Sequence, residues 1–290
     1  MREALLRDIS YADAFFAVES RRLRKLYVKY GNPRLAYLCG KGVAAFGREL
    51  GITGSMGLGI LEIMLAEMLI ASGASADDLD RAESHLTIGR NQLELTARTD
   101  QLPKVFGQWY MIMAVSLKAR GKLNDYSTIL DEGVNDDWMV SRAGPGDRAA
   151  VVRQRVMMRQ SLEEHIVLLN EAHKYKYSHP LEYYRTLKRV VEFFANNGFV
   201  ESSMLLRNEF MFAFAQSSDR MPEIGKVSFA RDFAQLSALR GELGMAKKLA
   251  IAAMRRAESA ALFGQVRQLK VLSEAIDSGD VRGALEQFHV

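Results

Sequence analysis

Apolar residues recur at three- and four-residue spacing along nearly the whole chain, which is the pattern of amphipathic helices. The segment SYADAFFAVESRRLRKLYVKYG follows it and stops at Gly31. NPRLAYLCGKGVAAFGRELG opens with Asn32 as an N-cap and Pro33 at the first helical position, and stops at Gly51. A third helix spans 56–72, with Ser55 as its cap. A fourth starts at Ser75, with acidic residues in its first turn where the helix dipole favours them. Segments 102–120 and 123–132 form a pair that meets at Gly121.

The stretch NDDWMVSRAGPGD, residues 135–147, has no period and contains Gly-Pro-Gly, so it reads as a break. Asp147 then caps one long helix to Tyr177, ended by Ser-His-Pro at 178–180. Further helices are expected at 181–197, 199–216, 223–241, 243–262, 264–278 and 280–288. No segment alternates in the manner of a strand.

Several of these pairs meet at a glycine, with small residues at set offsets in the second helix. Gly241 is followed by Ala246, Ala250 and Ala253, and Gly279 by Ala284 and then Phe288. Gly121 is followed by Tyr126, Leu130 and Gly133, and Gly198 by Ser203 and Arg207. Gly198 and Gly241 are 43 residues apart, and Gly241 and Gly279 are 38 apart. A tight turn needs a residue tolerant of positive φ, and two antiparallel helices pack closely where small side chains face each other. Stacked hairpins of this kind bury a continuous core.

Residues 227–257 resemble the tetratricopeptide repeat family, with Ala234, Gly241, Ala246 and Ala253 at its small-residue positions. The likeness continues at 265–288 through Gly279 and Ala284, and at 107–133 through Gly121 and the aromatic pair Trp109-Tyr110. The intervals exceed the family's usual length, and its Trp-Leu-Gly-Tyr set is absent. The resemblance implies an all-α fold of antiparallel hairpins stacked as a solenoid with one concave face. Residues 1–134 would be N-terminal hairpins, 135–147 the break, and 148–290 the tetratricopeptide-like repeats, or the whole one continuous solenoid.

Carried over by offset from the turn glycines, the family's ligand-facing positions are Arg185, Lys188, Arg189 and Glu192 before Gly198. Before Gly241 they are Ser228, Arg231 and Gln235. Together they suggest a partly cationic strip suited to an acidic segment or a terminal carboxylate.

Composition narrows the class further. Apolar residues make up 48% and charged residues 26% of the 290, a globular balance. A net charge of +4 hints only weakly at an acidic partner. The single Cys39 excludes an intrachain disulfide, and its apolar surroundings suggest a buried thiol. GLGILEIMLAEMLIASG carries Glu62 and Glu67 and is too short to span a bilayer. No secretory leader is read at the N-terminus, so a cytoplasmic protein without membrane attachment is expected.

Motifs for chemistry do not assemble. GITGSMGLG lacks the Lys-Ser/Thr of a phosphate loop, and the five histidines lack metal spacing. No cofactor, metal or catalytic set is expected. The expected function is a non-catalytic adaptor or regulatory subunit that binds another protein, with self-association left open. The alternative is a helical nucleic-acid-binding protein using Arg21, Arg22, Arg24, Lys25, Lys29 and Arg34, interleaved with Tyr27 and Tyr30. A second cluster places Lys174, Lys176, Arg185, Lys188 and Arg189 among tyrosines.

Overall fold

The computed structural model describes residues 3, 5, 8–73, 75–96, 102–136, 141, 145–159 and 161–280. Among these residues the chain is all-helical, with no strand. It divides into two compact units, Met1–Tyr27 with Asn32–Arg159, and Val28–Gly31 with Gln160–Val290. Of the expected break at 135–147, residues 137–140 and 142–144 lie outside the described residues, as do the expected helix 280–288, Ala284 and Phe288.

The first unit contains most of α1 (Ile9–Tyr30), then α2 (Pro33–Glu49), α3 (Met56–Ala71), α4 (Ala76–Glu94), α5 (Leu102–Ala119), α6 (Leu123–Asn135) and α7 (Pro145–Met158). The expected caps form. Asn32 accepts from the Leu35 amide at 3.0 Å, Ser55 from Leu58 at 3.1 Å, and Ser75 from Asp78 at 3.2 Å. Helix α3 is apolar on every side and is the centre of this unit, packed by α2, α4 and α5. It crosses α4 at a pair of facing glycines. A Cβ on Gly59 would lie 3.2 Å from the Gly89 carbonyl oxygen, and one on Gly89 would lie 3.1 Å from that of Gly59. A side chain on either Cα would crowd the facing carbonyl, so glycine at both positions suits this approach.

The second unit contains α8 (Leu162–His173), α9 (Pro180–Asn196), α10 (Val200–Leu205), α11 (Arg207–Ser217), α12 (Glu223–Leu239), α13 (Leu243–Ser259) and α14 (Phe263–Ser278). Helix α9 packs on α8, α11 and α12, while α12 packs on both α13 and α14. The seam of α12–α14 is built from Ala234, Ala246, Ala250, Ala253 and Ala257 with Leu269 and Leu272.

Two expectations are corrected here. The single helix from Asp147 to Tyr177 is two helices: α7 ends at Met158 and α8 starts at Leu162, with Arg159 and Ser161 both outside them. Ser161 caps α8 in a reciprocal box, accepting from the Glu164 amide at 3.3 Å while the Glu164 carboxylate accepts from the Ser161 amide at 3.4 Å. Likewise, the expected helix 199–216 is interrupted at Leu206, giving α10 and α11.

Five turns share one backbone pattern. At Gly51, Gly121, Gly198, Gly241 and Ala261 the amide bonds the carbonyl three residues back, at 2.9–3.3 Å. The next amide bonds the carbonyl five residues back, at 2.8–3.2 Å. This is the Schellman closure, which needs a left-handed residue. The glycines have φ of 68°, 71°, 82° and 80°, and Ala261 takes φ 53° without the freedom of glycine.

Candidate functional site

Helix α9 turns Tyr183, Tyr184, Leu187, Val190, Val191 and Phe194 inward, which leaves Arg185, Lys188, Arg189 and Glu192 on its other face. Pro180 at its first position and the His179 carbonyl, bonded by the Tyr183 amide at 3.0 Å, fix where it starts. Helix α12 lies alongside and contributes Ser228, Arg231 and Asp232.

The side chains picked out by offset meet across these helices. The Lys188 ammonium donates to Ser228 Oγ at 2.7 Å and pairs with Asp232 at 2.6 Å. Arg231 pairs with Asp232 at 3.0 Å and donates to Ser228 at 3.4 Å and to Gln268 of α14 at 3.0 Å. One polar strip therefore runs over α9, α12 and α14.

Within the strip the cations fall into two kinds. Lys188 and Arg231 are each only 13% exposed and converge on Asp232, which is 5% exposed. Arg185 and Arg189 are 41% and 43% exposed. Their ion pairs, at 2.5 and 2.8 Å, are with Glu182 and Glu192, three residues away on the same helix. Burial pushes the Glu192 carboxyl up, but the Arg189, Lys188 and Arg231 cations outweigh it and hold it at about 2. Glu192 in turn raises Arg189 further. Desolvation, followed by the Asp232 and Glu192 charges, pushes the neighbouring Tyr184 phenol far up.

Three members of the strip escaped the offset rule: Glu182, Asp232 and Gln268. The strip is consequently nearer neutral than the sequence spacing suggests. A carboxylate inside a helix whose Val227, Phe229, Ala234 and Leu236 are buried was the signal available for Asp232. Gln235 differs in the other direction. It is 8% exposed and belongs to the buried side of α12, because the helix is covered by neighbours along most of its circumference.

The basic cluster of α1 is dispersed. Arg22 pairs with Glu19 at 3.4 Å, Arg24 with Glu67 at 3.7 Å, and Arg34 with Asp78 at 2.8 Å while covering the Tyr37 ring. Lys29 lies over the Tyr30 ring. Arg21 and Lys25 are exposed with no ion pair among the described residues. In the second cluster Lys176 is bonded to Glu209 at 2.8 Å and lies over the Phe212 ring.

Cys39 is exposed, which overturns the expected burial. Helix α2 buries Ala36, Tyr37, Gly40, Ala44 and Gly47, and Cys39 falls on the opposite side with the exposed Leu35 and Leu38. Histidines are consumed structurally: His85 bonds Glu62 at 2.5 Å, His165 stacks on Phe193 at 3.7 Å, and His173 approaches the Tyr183 hydroxyl at 3.3 Å. Among the described residues no group of three metal-ligating side chains converges, and no helix is long and apolar enough to cross a membrane. No family model, curated protein or solved structure matches the chain.

Proposed function

We propose that the chain is a tetratricopeptide-like stack of helical hairpins acting as a non-catalytic interaction module, an adaptor or regulatory subunit. It binds an acidic peptide or partner helix along the α9–α12 face. The observation that carries this reading is the convergence of residues chosen only by their distance from turn glycines: Lys188 reaches Ser228 at 2.7 Å. The repeated turn geometry and the packing of α12 on both α13 and α14 also support a stack.

The roles divide by exposure. Lys188 and Arg231, held by Asp232, shape the floor. Arg185 and Arg189 are the exchangeable groups, because their guanidiniums are the solvent-facing ends of these pairs and can turn toward a partner. A partner carboxylate can replace Glu182 or Glu192 and gain bidentate hydrogen bonds. A nucleic-acid-binding role for α1 has less support, since Arg22, Arg24 and Arg34 are already paired.

The test is affinity purification from the native host, followed by Arg185→Glu with Arg189→Glu. The partner recovered with the unaltered chain is expected to be lost while the melting temperature holds. Recovery of the same partner by the double variant would sink the proposal.

A further inference from the structure

The first unit contains an open groove that the interaction face does not use. Asp13 of α1 bonds the Gly57 amide of α3 at 3.0 Å, and Arg24 of α1 meets Glu67 of α3 at 3.7 Å. The two helices therefore run side by side in the same direction for about 16 Å, at 1.5 Å per residue. They touch at one end, where a Cβ on Gly57 would lie 2.5 Å from the Asp13 carbonyl oxygen. Past that point the small side chains Ala14 and Ala17 leave room. A cavity of about 560 Å³, open on one side, lies between α1, α3 and Gln108 of α5. That volume falls in the range of roughly 300–1,000 Å³ common to small-molecule sites.

Polar groups are concentrated at its two ends. At the closed end the Asp13 carboxylate accepts from Ser55 Oγ at 2.7 Å and from the Gly57 amide, at the positive end of α3. At the other end stand Arg21, exposed and without an ion pair among the described residues, and Arg24, 59% exposed and only loosely paired. Between them the wall is Ala14, Ala17, Ile60 and Met64, and the Ser20 hydroxyl there already donates to the Phe16 carbonyl at 2.8 Å.

We propose that this groove binds a linear amphiphile: a carboxylate or phosphate monoester head on an unbranched apolar chain. The head is held by the Arg21 and Arg24 guanidiniums, whose fork matches either oxyanion. The chain lies along the alanines and against Met64, a side chain that adapts its shape. An extended peptide fits less well, because most of its amide groups would face the apolar wall of Ala14, Ala17, Ile60 and Met64.

Ligand-observed NMR on the full chain tests this, with octanoate and octyl phosphate below their micelle concentrations. One or both should bind saturably, and the tighter of the two identifies the head. Octanol and acetate should bind at least about tenfold more weakly, a difference of one decade in Kd. Arg21→Glu with Arg24→Glu should weaken the preferred ligand about tenfold at an unchanged melting temperature. Ala17→Leu, at a half-exposed position, should block it by filling the groove. Absence of saturable binding by both anions, octanol binding as well as octanoate, or indifference to either variant would each overturn the proposal.

Discussion

The two units bury their helices by different means. In the first, long side chains of α3, among them Leu58, Leu61 and Leu65, pack with others such as Phe16 and Leu86, and closest approach falls at glycines inside the helices. In the second, the α12–α14 seam is an alanine ladder that recurs from turn to turn. Glycine contacts let helices cross at individual points, whereas a ladder of alanines keeps neighbouring helices close along their length. The units also differ in how they bury titratable groups. The first sets the Glu62 carboxylate in its centre between Arg48 and His85, and the second lays the buried His165 ring flat on Phe193.

The sharpest way to break this comparison is at that carboxylate. Glu62 is fully buried in α3, bonded by Arg48 of α2 on one oxygen and by His85 of α4 at 2.5 Å on the other. Removing Arg48, the solvent-exposed partner, leaves this buried carboxylate with His85 alone. Arg48→Met is expected to destabilise the first unit by about 2 kcal/mol, measured by urea unfolding at pH 7. Adding Glu62→Leu should restore most of that loss, since a well-packed apolar side chain replaces the orphaned charge. A cost below about 1 kcal/mol for Arg48→Met would show that the charge is not integral to the first unit's core.

This contrast also explains what was legible in the sequence. The helices, the caps at Asn32, Ser55 and Ser75, and the turns at Gly121, Gly198 and Gly241 were readable because each is set by residues within a few positions. The strip on α9 and α12 was readable because it keeps a fixed distance from those turns. Glu62 was visible only as an interruption in an apolar run. Its partners lie 14 and 23 residues away with no periodic relation to it. Asp232 was hidden for the same reason, because the charges it joins arrive from two helices. The break before α8 was legible in Ser161-Leu-Glu-Glu164, but helical periodicity on either side masked it. The turn at Ala261 gave no sign, since the residue there is not glycine.

In the second unit, His165 is 2% exposed, lies flat on Phe193 and bonds the Ser161 carbonyl through Nδ1 at 2.7 Å. Burial lowers its pKa, and the weaker pull of the Ser161 carbonyl and Glu164 does not reverse this. The unfolded chain then binds the proton first as pH falls below about 6.5. Stability of the second unit should be fully present above that pH and decline through the window between the unfolded and the depressed folded value. Melting temperatures from pH 7.5 to 5 should show the slope, and His165→Phe should flatten it. An unchanged slope would mean that another group sets the acid limit.

The smallest expected effect lies at the one repeated turn that lacks glycine. Ala261 has φ 53°, in the left-handed region where an L side chain is crowded by about 1–2 kcal/mol. Ala261→Gly removes that crowding but gives the unfolded chain more freedom, which offsets about 0.4–1 kcal/mol. The net gain should be about 0.5 kcal/mol, read as a small rise in the denaturation midpoint of the second unit. Gly241→Ala, in the same hydrogen-bonded turn, should shift it the opposite way by a similar amount. If both substitutions moved the midpoint in one direction, these two turns would not be energetically equivalent, and the regularity of the second unit would be confined to its alanines.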